Sequence, residues 1–414
     1  MLEQKILTID LGTLSIRTAL SVVNSDGKRN ITITTAPSRG IKSGNIVNFQ
    51  SARDSLKSAL NKLKMETSTT IPSEAYVLIT GAHTLSYVVE SKITFPGIQT
   101  ISYSDVNEVK NKAQKELMKK LGQTVKNHYE VIHILPQEFI IENLTGIQNP
   151  IGHNGRELTM RAFVVLATKS SMKTIESLLR EVNLKLKGLV LQSLAAFHGI
   201  KDEKTYFNNN LMVYMGAGNT EYFYFREDKP VLSKHIPFGG EDIIDFIVQQ
   251  LKVSRKEAER LFKEYGSAYA FNVNPEEVIT INYGANHKRV PKVLIPIFIH
   301  MQLKKLFKDI KEELHSRDPS FVSELNRVYL TGGLSNLPDV DLLTSKILKA
   351  PAVVMNSRDE KLKAPSFAPI VGVTNYVLSL KNKKRLSDIK EDLTKDYSKG
   401  GLFSGIWRFI TDLI

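Results

Sequence analysis

The chain has 414 residues, 42% hydrophobic and 24% charged, the proportions of a soluble globular protein too long for one ordinary core. It contains no cysteine, which excludes disulfides, thiolate metal sites and cysteine nucleophiles and fits a reducing cytosol. The formal charge of +13 points to an acidic partner or anionic surface, but the lysines are scattered over helical stretches without interleaved aromatics, so no nucleic acid is expected.

The first residues, MLEQKILTIDLG, enter a strand directly with no cleavage site, and no stretch reaches the roughly 18 apolar residues that cross a bilayer, so a cytoplasmic protein is expected. Residues 6–20, ILTIDLGTLSIRTAL, read as strand, turn and strand with Asp10, Gly12, Thr13 and Ser15 at the tip. Strands follow at 31–35 and 75–80, with a helix over 51–64 between them. Residues 81–164 form a mixed segment. A helix over 173–182, a strand over 188–191 and a helix over 193–199 lead to a polar join at 201–210. Residues 211–225, LMVYMGAGNTEYFYF, repeat the strand-turn-strand pattern around Gly216, Ala217, Gly218 and Asn219. Gly239 and Gly240 open a helix over 241–251, and Ser254 caps the next, with Glu257 completing a capping box. Loop and hairpin over 272–291 precede a long helix over 293–314. Residues 328–338, VYLTGGLSNLP, are a strand running into Gly332, Gly333 and a helix start. A polar linker over 381–401 leads to the terminal GLFSGIWRFITDLI.

Small turn residues flanked by strands bring backbone N–H groups close to a ligand, and oriented amides cradle phosphate without a lysine. A plain β-turn has the same composition. Two such hairpins far apart in sequence, with a later double glycine, describe a cleft between two similar halves holding a nucleotide at its floor. That arrangement resembles the actin and sugar-kinase superfamily. Within it, SRGIKSGNIVN at 38–48, ILPQEFIIENLTGIQNPIGHNGRELTMR within 133–161, residues 237–241, EAERLFKEYGSA at 257–268 and PSFAPIVG at 365–372 are similar, in order along the chain, to the bacterial cell-division family FtsA.

The resemblance implies an α/β, bilobed actin-like (ribonuclease-H-like) ATPase fold with an inserted 1C subdomain and a C-terminal amphipathic helix. Subdomain 1A would span 1–82, completed by 165–200 and about 365–380, with 1C at 83–164. Subdomain 2A would take 201–237 and 316–364, and 2B 238–315, before the linker at 381–401 and the helix at 402–414. The family binds ATP and Mg²⁺, polymerises into protofilaments on the cytoplasmic face of the membrane at the division site, tethers the FtsZ ring, and helps recruit later division proteins through 1C. The acidic C-terminal peptide of FtsZ docks on 2B, where Lys304, Lys305 and Lys308 either meet it or are plain solvated surface.

Residue by residue, the resemblance places Asp10 where an acid reaches Mg²⁺ through water. Gly12, Thr13 and Ser15 would donate to phosphate, with Arg17 at the basic position, and Gly216, Gly218 and Asn219 would offer amides from the second hairpin. Gln192 either holds the attacking water or is only a polar helix start. Glu259 matches an acid that contacts ribose or base. Phe262 stands where a lysine is expected and either stacks on adenine or packs in its helix. Gly332 and Gly333 would let backbone approach adenosine, and Gly239 is either part of the site or a helix N-terminus. Tyr214 departs from the superfamily, which has an Asp there to orient metal and water. A neutral phenol is a poor Mg²⁺ ligand, so slow or absent hydrolysis is expected.

At 100° per residue, Leu402, Phe403, Ile406, Trp407, Phe409, Ile410, Leu413 and Ile414 fall within an arc of roughly 160°. Joined through a basic polar tether, that stripe reads as an anchor for anionic membrane lipid; a packed terminal helix has the same pattern. Two other readings share the fold: a cytoplasmic assembly component of a pilus or secretion machine, and an active ATPase or small-molecule kinase.

Overall fold

The computed structural model describes residues 4–24, 29–202, 205–284 and 286–392. The chain opens with β1 (Gln4–Leu11), β2 (Ser15–Val23) and β3 (Arg29–Pro37), a small ladder of β4 (Ile41–Lys42) and β5 (Asn45–Ile46), then α1 (Phe49–Glu66) and β6 (Glu74–Ile79). An insertion follows, with β7 (Thr84–Thr100), α2 (Tyr103–His128), β8 (Tyr129–Ile141), β9 (Leu144–Ile147) and β10 (Asn154–Thr168). Then come α3 (Lys169–Arg180), β11 (Lys185–Leu191) and α4 (Gln192–Ile200). The second half runs β12 (Asn210–Met215), β13 (Thr220–Arg226), β14 (Lys229–Ile236), α5 (Gly240–Leu251), α6 (Arg255–Tyr265), β15 (Val278–Tyr283), β16 (Asn286–Pro291) and α7 (Leu294–Arg317). It ends with α8 (Ser320–Ser323), β17 (Arg327–Thr331), α9 (Val340–Leu348), β18 (Ala352–Val354) and α10 (Ala368–Asp392).

Two five-stranded sheets carry the same topology. The first has the order β11-β6-β1-β2-β3 and the second β18-β17-β12-β13-β14. In each, two hairpins supply three antiparallel strands and two parallel strands complete the other edge. The halves are thus two copies of one βββαβαβ-type plan, elaborated differently.

Strand alternation explains where the cores lie, because successive side chains point to opposite faces. On β12 and β13, Met212, Tyr214, Phe223 and Phe225 join the core of the first sheet, whereas Leu211, Val213, Met215, Tyr222 and Tyr224 join a second core with α5, α6 and α7. The aromatic run EYFYF therefore belongs to a strand buried on both faces. Strand β10 does the same for the insertion. Phe163, Val165 and Ala167 face the first core, and Ala162, Val164 and Leu166 face a third core under α2. One hydrophobic cluster consequently runs beneath both sheets, fixing the strand ends that form the cleft floor.

Two local expectations change. Ser254 does cap α6, its side chain accepting from the Glu257 N–H, but the Glu257 carboxylate does not return to it. It takes Arg260 and both the backbone and side-chain amides of Asn282, which tie the β15–β16 hairpin to α6 and pull its pKa down to about 2. The expected linker at 381 begins inside α10, which continues to Asp392. The amphipathic stripe from Leu402 to Ile414 lies outside the described residues.

Candidate functional site

The β1–β2 and β12–β13 hairpins match rung for rung. Leu11 pairs Ile16 and Met215 pairs Thr220, so residues 12–15 and 216–219 are turns of equal length. One rung below, Asp10 faces Arg17 and Tyr214 faces Glu221. The tips meet: a Cβ on Gly218 would stand 2.5 Å from the Thr13 hydroxyl and 3.1 Å from the Ser43 backbone. Between them lies a cavity of about 220 Å³ lined by both turns, by Asp10, Arg17, Gln192 and Tyr214 on its floor, and by Gly240, Ile244, Phe262 and Gly333 on the second half.

The floor is a buried polar chain. The Asp10 carboxylate pairs with Arg17 Nη1 at 3.2 Å; burial raises its pKa, and the guanidinium pulls the other way. Gln192, at the first position of α4, donates from Nε2 to the Tyr214 hydroxyl at 3.1 Å and accepts from Asn219 Nδ2 at 3.5 Å. Burial, with Asp10 nearby, raises the Tyr214 phenol, so it stays neutral. Such an arrangement presents amides, hydroxyls and one charge-compensated carboxylate to an anionic ligand.

Among the residues singled out in the sequence, Asp10, Gly12, Thr13, Ser15, Arg17, Gln192, Gly216, Gly218, Asn219, Phe262 and Gly333 line this cavity together. Three do not. Gly239 sits behind the second turn as the cap of α5, where a Cβ would stand only 2.4 Å from the Ala217 carbonyl oxygen, while the Gly240 and Glu241 N–H groups donate to the Gly216 and Ala217 carbonyls. Gly332 holds φ at +94°, where a Cβ would lie 2.4 Å from the Met215 carbonyl, and so shapes the strand end without facing the cavity. Glu259 is exposed, and its carboxylate takes Arg255 Nε at 3.1 Å in a cluster with Glu241 and Asp245. Phe262 both packs against the second core and lines the cavity beside Ile244.

Sequence reasoning missed Gly44 and Thr80, which line the cavity from the β4–β5 ladder and the end of β6. It also missed Glu221, a buried acid in an otherwise aromatic strand. The signal was the seven-residue interval from Tyr214, equal to that from Asp10 to Arg17.

With this geometry, comparisons with known proteins become specific. A family model described as cell division protein FtsA matches residues 211–372, and a second, the SHS2 domain inserted in FtsA, matches residues 81–166; together they span more than half of the chain. The chain belongs to the FtsA family. The FtsA of Borreliella burgdorferi is 24% identical over 392 residues, 91% of each chain. That of Pseudomonas aeruginosa is 23% identical over 381 residues, 90% of this chain and 89% of the relative. Among solved structures, the PilM-PilN type IV pilus biogenesis complex is similar with a TM-score of 0.61 at 15% identity, over 89% of this chain and 96% of that one. MreB5 of Spiroplasma citri bound to ADP gives 0.53 at 13% identity, over 94% and 98%. These likenesses establish the actin-like fold, and the family models make the chain an FtsA-type cell-division protein whose insertion is the SHS2 domain.

Proposed function

We propose that this FtsA-family protein binds ATP with Mg²⁺ in the cleft, polymerises, and tethers the FtsZ ring to the cytoplasmic face of the membrane at the division site. The observation that carries the reading is the opposition of the two matched turns around one cavity. Support for a nucleotide comes also from similar structures of MreB5 bound to ADP and to AMPPNP. A nucleotide would take its phosphates between Gly12–Ser15 and Gly216–Asn219, with its adenosine toward Phe262 and Gly333.

Asp10 fits a water-mediated Mg²⁺ role. Among the described residues no cluster of three or more His, Asp or Glu side chains could hold a metal, and Mg²⁺ needs only one or two carboxylates beside phosphate oxygens. The ion would supply charge neutralisation at the phosphates. Arg17 fixes Asp10, and Tyr214 keeps the second position uncharged, which supports binding with slow turnover.

We further propose the subdomain division given by the resemblance, with the SHS2 insertion as the 1C platform for later division proteins. No described helix is long and apolar enough to cross a membrane, so the attachment proposed is peripheral, through residues 402–414 and anionic lipid. For the acidic FtsZ peptide, Lys304, Lys308 and Lys311 of α7 with Lys346 of α9 line an open groove of about 630 Å³ on the second half.

Electron microscopy of the full chain on anionic lipid monolayers tests the whole reading. Ordered filaments with ATP and sparse, unordered particles without it are expected. Equal behaviour in both conditions would sink the ATP-dependent part.

A further inference from the structure

Glu221 is 1% exposed and occupies the rung opposite Tyr214. One carboxylate oxygen accepts the Gly81 N–H at 2.7 Å and Asn219 Nδ2 at 3.1 Å; the other accepts the Ser193 N–H at 3.2 Å. Gly81 follows β6, and Ser193 lies in the first turn of α4 after β11, so both amides stand at the ends of neighbouring parallel strands of the first sheet. Glu221 and Asn219 belong to the second sheet's hairpin. A single carboxylate therefore gathers donors across the boundary between the halves.

The space is closely filled. A Cβ on Gly81 would lie 2.8 Å from the His235 Cβ and 3.3 Å from the Glu221 carboxyl carbon. Three N–H groups converge, so an ionised carboxylate, which accepts at both oxygens, is matched to the position. An amide would turn an NH₂ group against one of those donors. From Asn219 the contact passes to Gln192 and on to Tyr214.

We propose that Glu221 is the positioning residue of the cleft: an acceptor-only clasp that holds two strand ends of the first sheet to the second hairpin and, through Asn219, orients the Gln192 amide beneath the bound nucleotide. The clasp rests on the nucleotide reading above for its effect on binding, but not for its existence. Its ionisation is tunable, because burial raises the Glu221 pKa to about 6 against the pull of the three hydrogen bonds. The titratable and charged groups around it are His235 on the paired β14, His83 beyond Gly81, Tyr214 on β12, and Asp10 and Arg17 on the first hairpin.

The test uses the full chain as wild type, Glu221→Gln, Glu221→Asp and a control, Ser86→Ala. The control removes a different tie to the second sheet, from Ser86 Oγ to the Ser233 carbonyl. Amide hydrogen exchange without nucleotide should quicken by about tenfold at residues 81 and 193 in Glu221→Gln. Affinity for a fluorescent ATP analogue should fall about tenfold at pH 7.5, and the ratio to wild type should shrink below about threefold at pH 5.5 as wild-type Glu221 protonates. The nucleotide's own titration cancels in that ratio. Glu221→Asp, which keeps the charge and loses reach, should bind better than the isosteric Gln; Ser86→Ala should stay within about twofold of wild type.

Unchanged exchange at both amides overturns the clasp. So does Gln outperforming Asp, a loss independent of pH, or an equal loss in Ser86→Ala, each of which would mark packing alone. If the wild type binds no ATP analogue, the nucleotide reading fails by itself and the exchange experiment still decides the clasp. Should Glu221→Gln not fold, Glu221→Asp carries both measurements: exchange slower than or equal to wild type at residues 81 and 193 would overturn the proposal.

Discussion

The side-chain amide of Gln192 donates to the Tyr214 hydroxyl at 3.1 Å, so a residue proposed to hold an attacking water is tied to the tyrosine that stands where the resemblance expects an acid. In the proposed ATP site this pairing leaves phosphate binding to the turns and removes a carboxylate from phosphoryl transfer, which is largely positioning and charge stabilisation. Tyr214→Asp should raise ATP turnover more than tenfold over a wild type well below ~1 s⁻¹. Tyr214→Phe should keep nucleotide affinity and lose about 1–2 kcal/mol of stability, since Gln192 Nε2 is left without its acceptor. Phosphate release and thermal unfolding measure the two effects; fast hydrolysis by the wild type would refute the assignment.

Two glycines around the cavity should fail in different ways. Gly332 needs its left-handed φ of +94° and has the Met215 carbonyl where a Cβ would go, so Gly332→Ala should cost about 2 kcal/mol or more, seen as a lower unfolding midpoint. At Gly218 the obstruction is the Thr13 hydroxyl of the opposite turn together with the Ser43 backbone. Gly218→Val should therefore prop the turns apart and weaken nucleotide binding by about tenfold or more while shifting stability little. Equal stability losses in both variants would contradict the distinction.

The repeated hairpins were legible because their signal is local: apolar strand runs broken by four-residue turns that begin with glycine, at 12–15 and 216–219. The burial of β12 and β13 on both faces was not read from the sequence, although the continuous apolar run around Tyr222 and Phe225 carries its signal. The insertion was legible only as a resemblance, since β7, β8 and β10 are long strands whose partners lie far apart in sequence. Glu259 and Gly239 show the limit of carrying roles by position. Glu259 faces Arg255, four residues earlier on the same helix, and Gly239 is taken up by the neighbouring turn's carbonyl. Such outcomes depend on where α5 and α6 dock, which no local pattern encodes.

His133 and Glu221 should give opposing pH responses. His133 is buried beside an apolar cavity of about 310 Å³; its Nε2 accepts the Leu191 N–H at 3.2 Å, so Nδ1–H donates to the Tyr376 hydroxyl at 3.1 Å. Burial, with His198 nearby, lowers its pKa to about 3. The folded state therefore binds fewer protons than the unfolded one between about 3 and the reference 6.5, and the stability contributed by neutral His133 is lost as pH falls through that window. For Glu221, raised to about 6, the folded state holds a proton that the unfolded state has released, so its contribution falls as pH rises from 4.5 to 6. His133→Leu should cost about 1–3 kcal/mol at pH 7, where Leu191 and Tyr376 lose their partner, yet flatten the decline toward pH 4. Denaturant midpoints across pH 4–7 test this. A parallel offset at every pH would mean that His133 titrates alike in the folded and unfolded states, against the lowered pKa of the buried ring.

Membrane attachment makes the most direct prediction, because Trp407 is the only tryptophan in the chain. If residues 402–414 lie on lipid, adding anionic vesicles should shift Trp407 emission to the blue, and deleting the segment should abolish vesicle pelleting while leaving nucleotide affinity within about twofold. One short amphipathic helix binds only modestly, since the apolar area it buries is offset by ordering the helix and losing free translation. Arrays of subunits would convert that weak hold into firm attachment through effective concentration. Pelleting should accordingly rise steeply with protein concentration and with ATP, and added salt should weaken it by screening the basic tether. Retained pelleting after the deletion, or an emission spectrum that vesicles leave unchanged, would exclude the segment as the anchor.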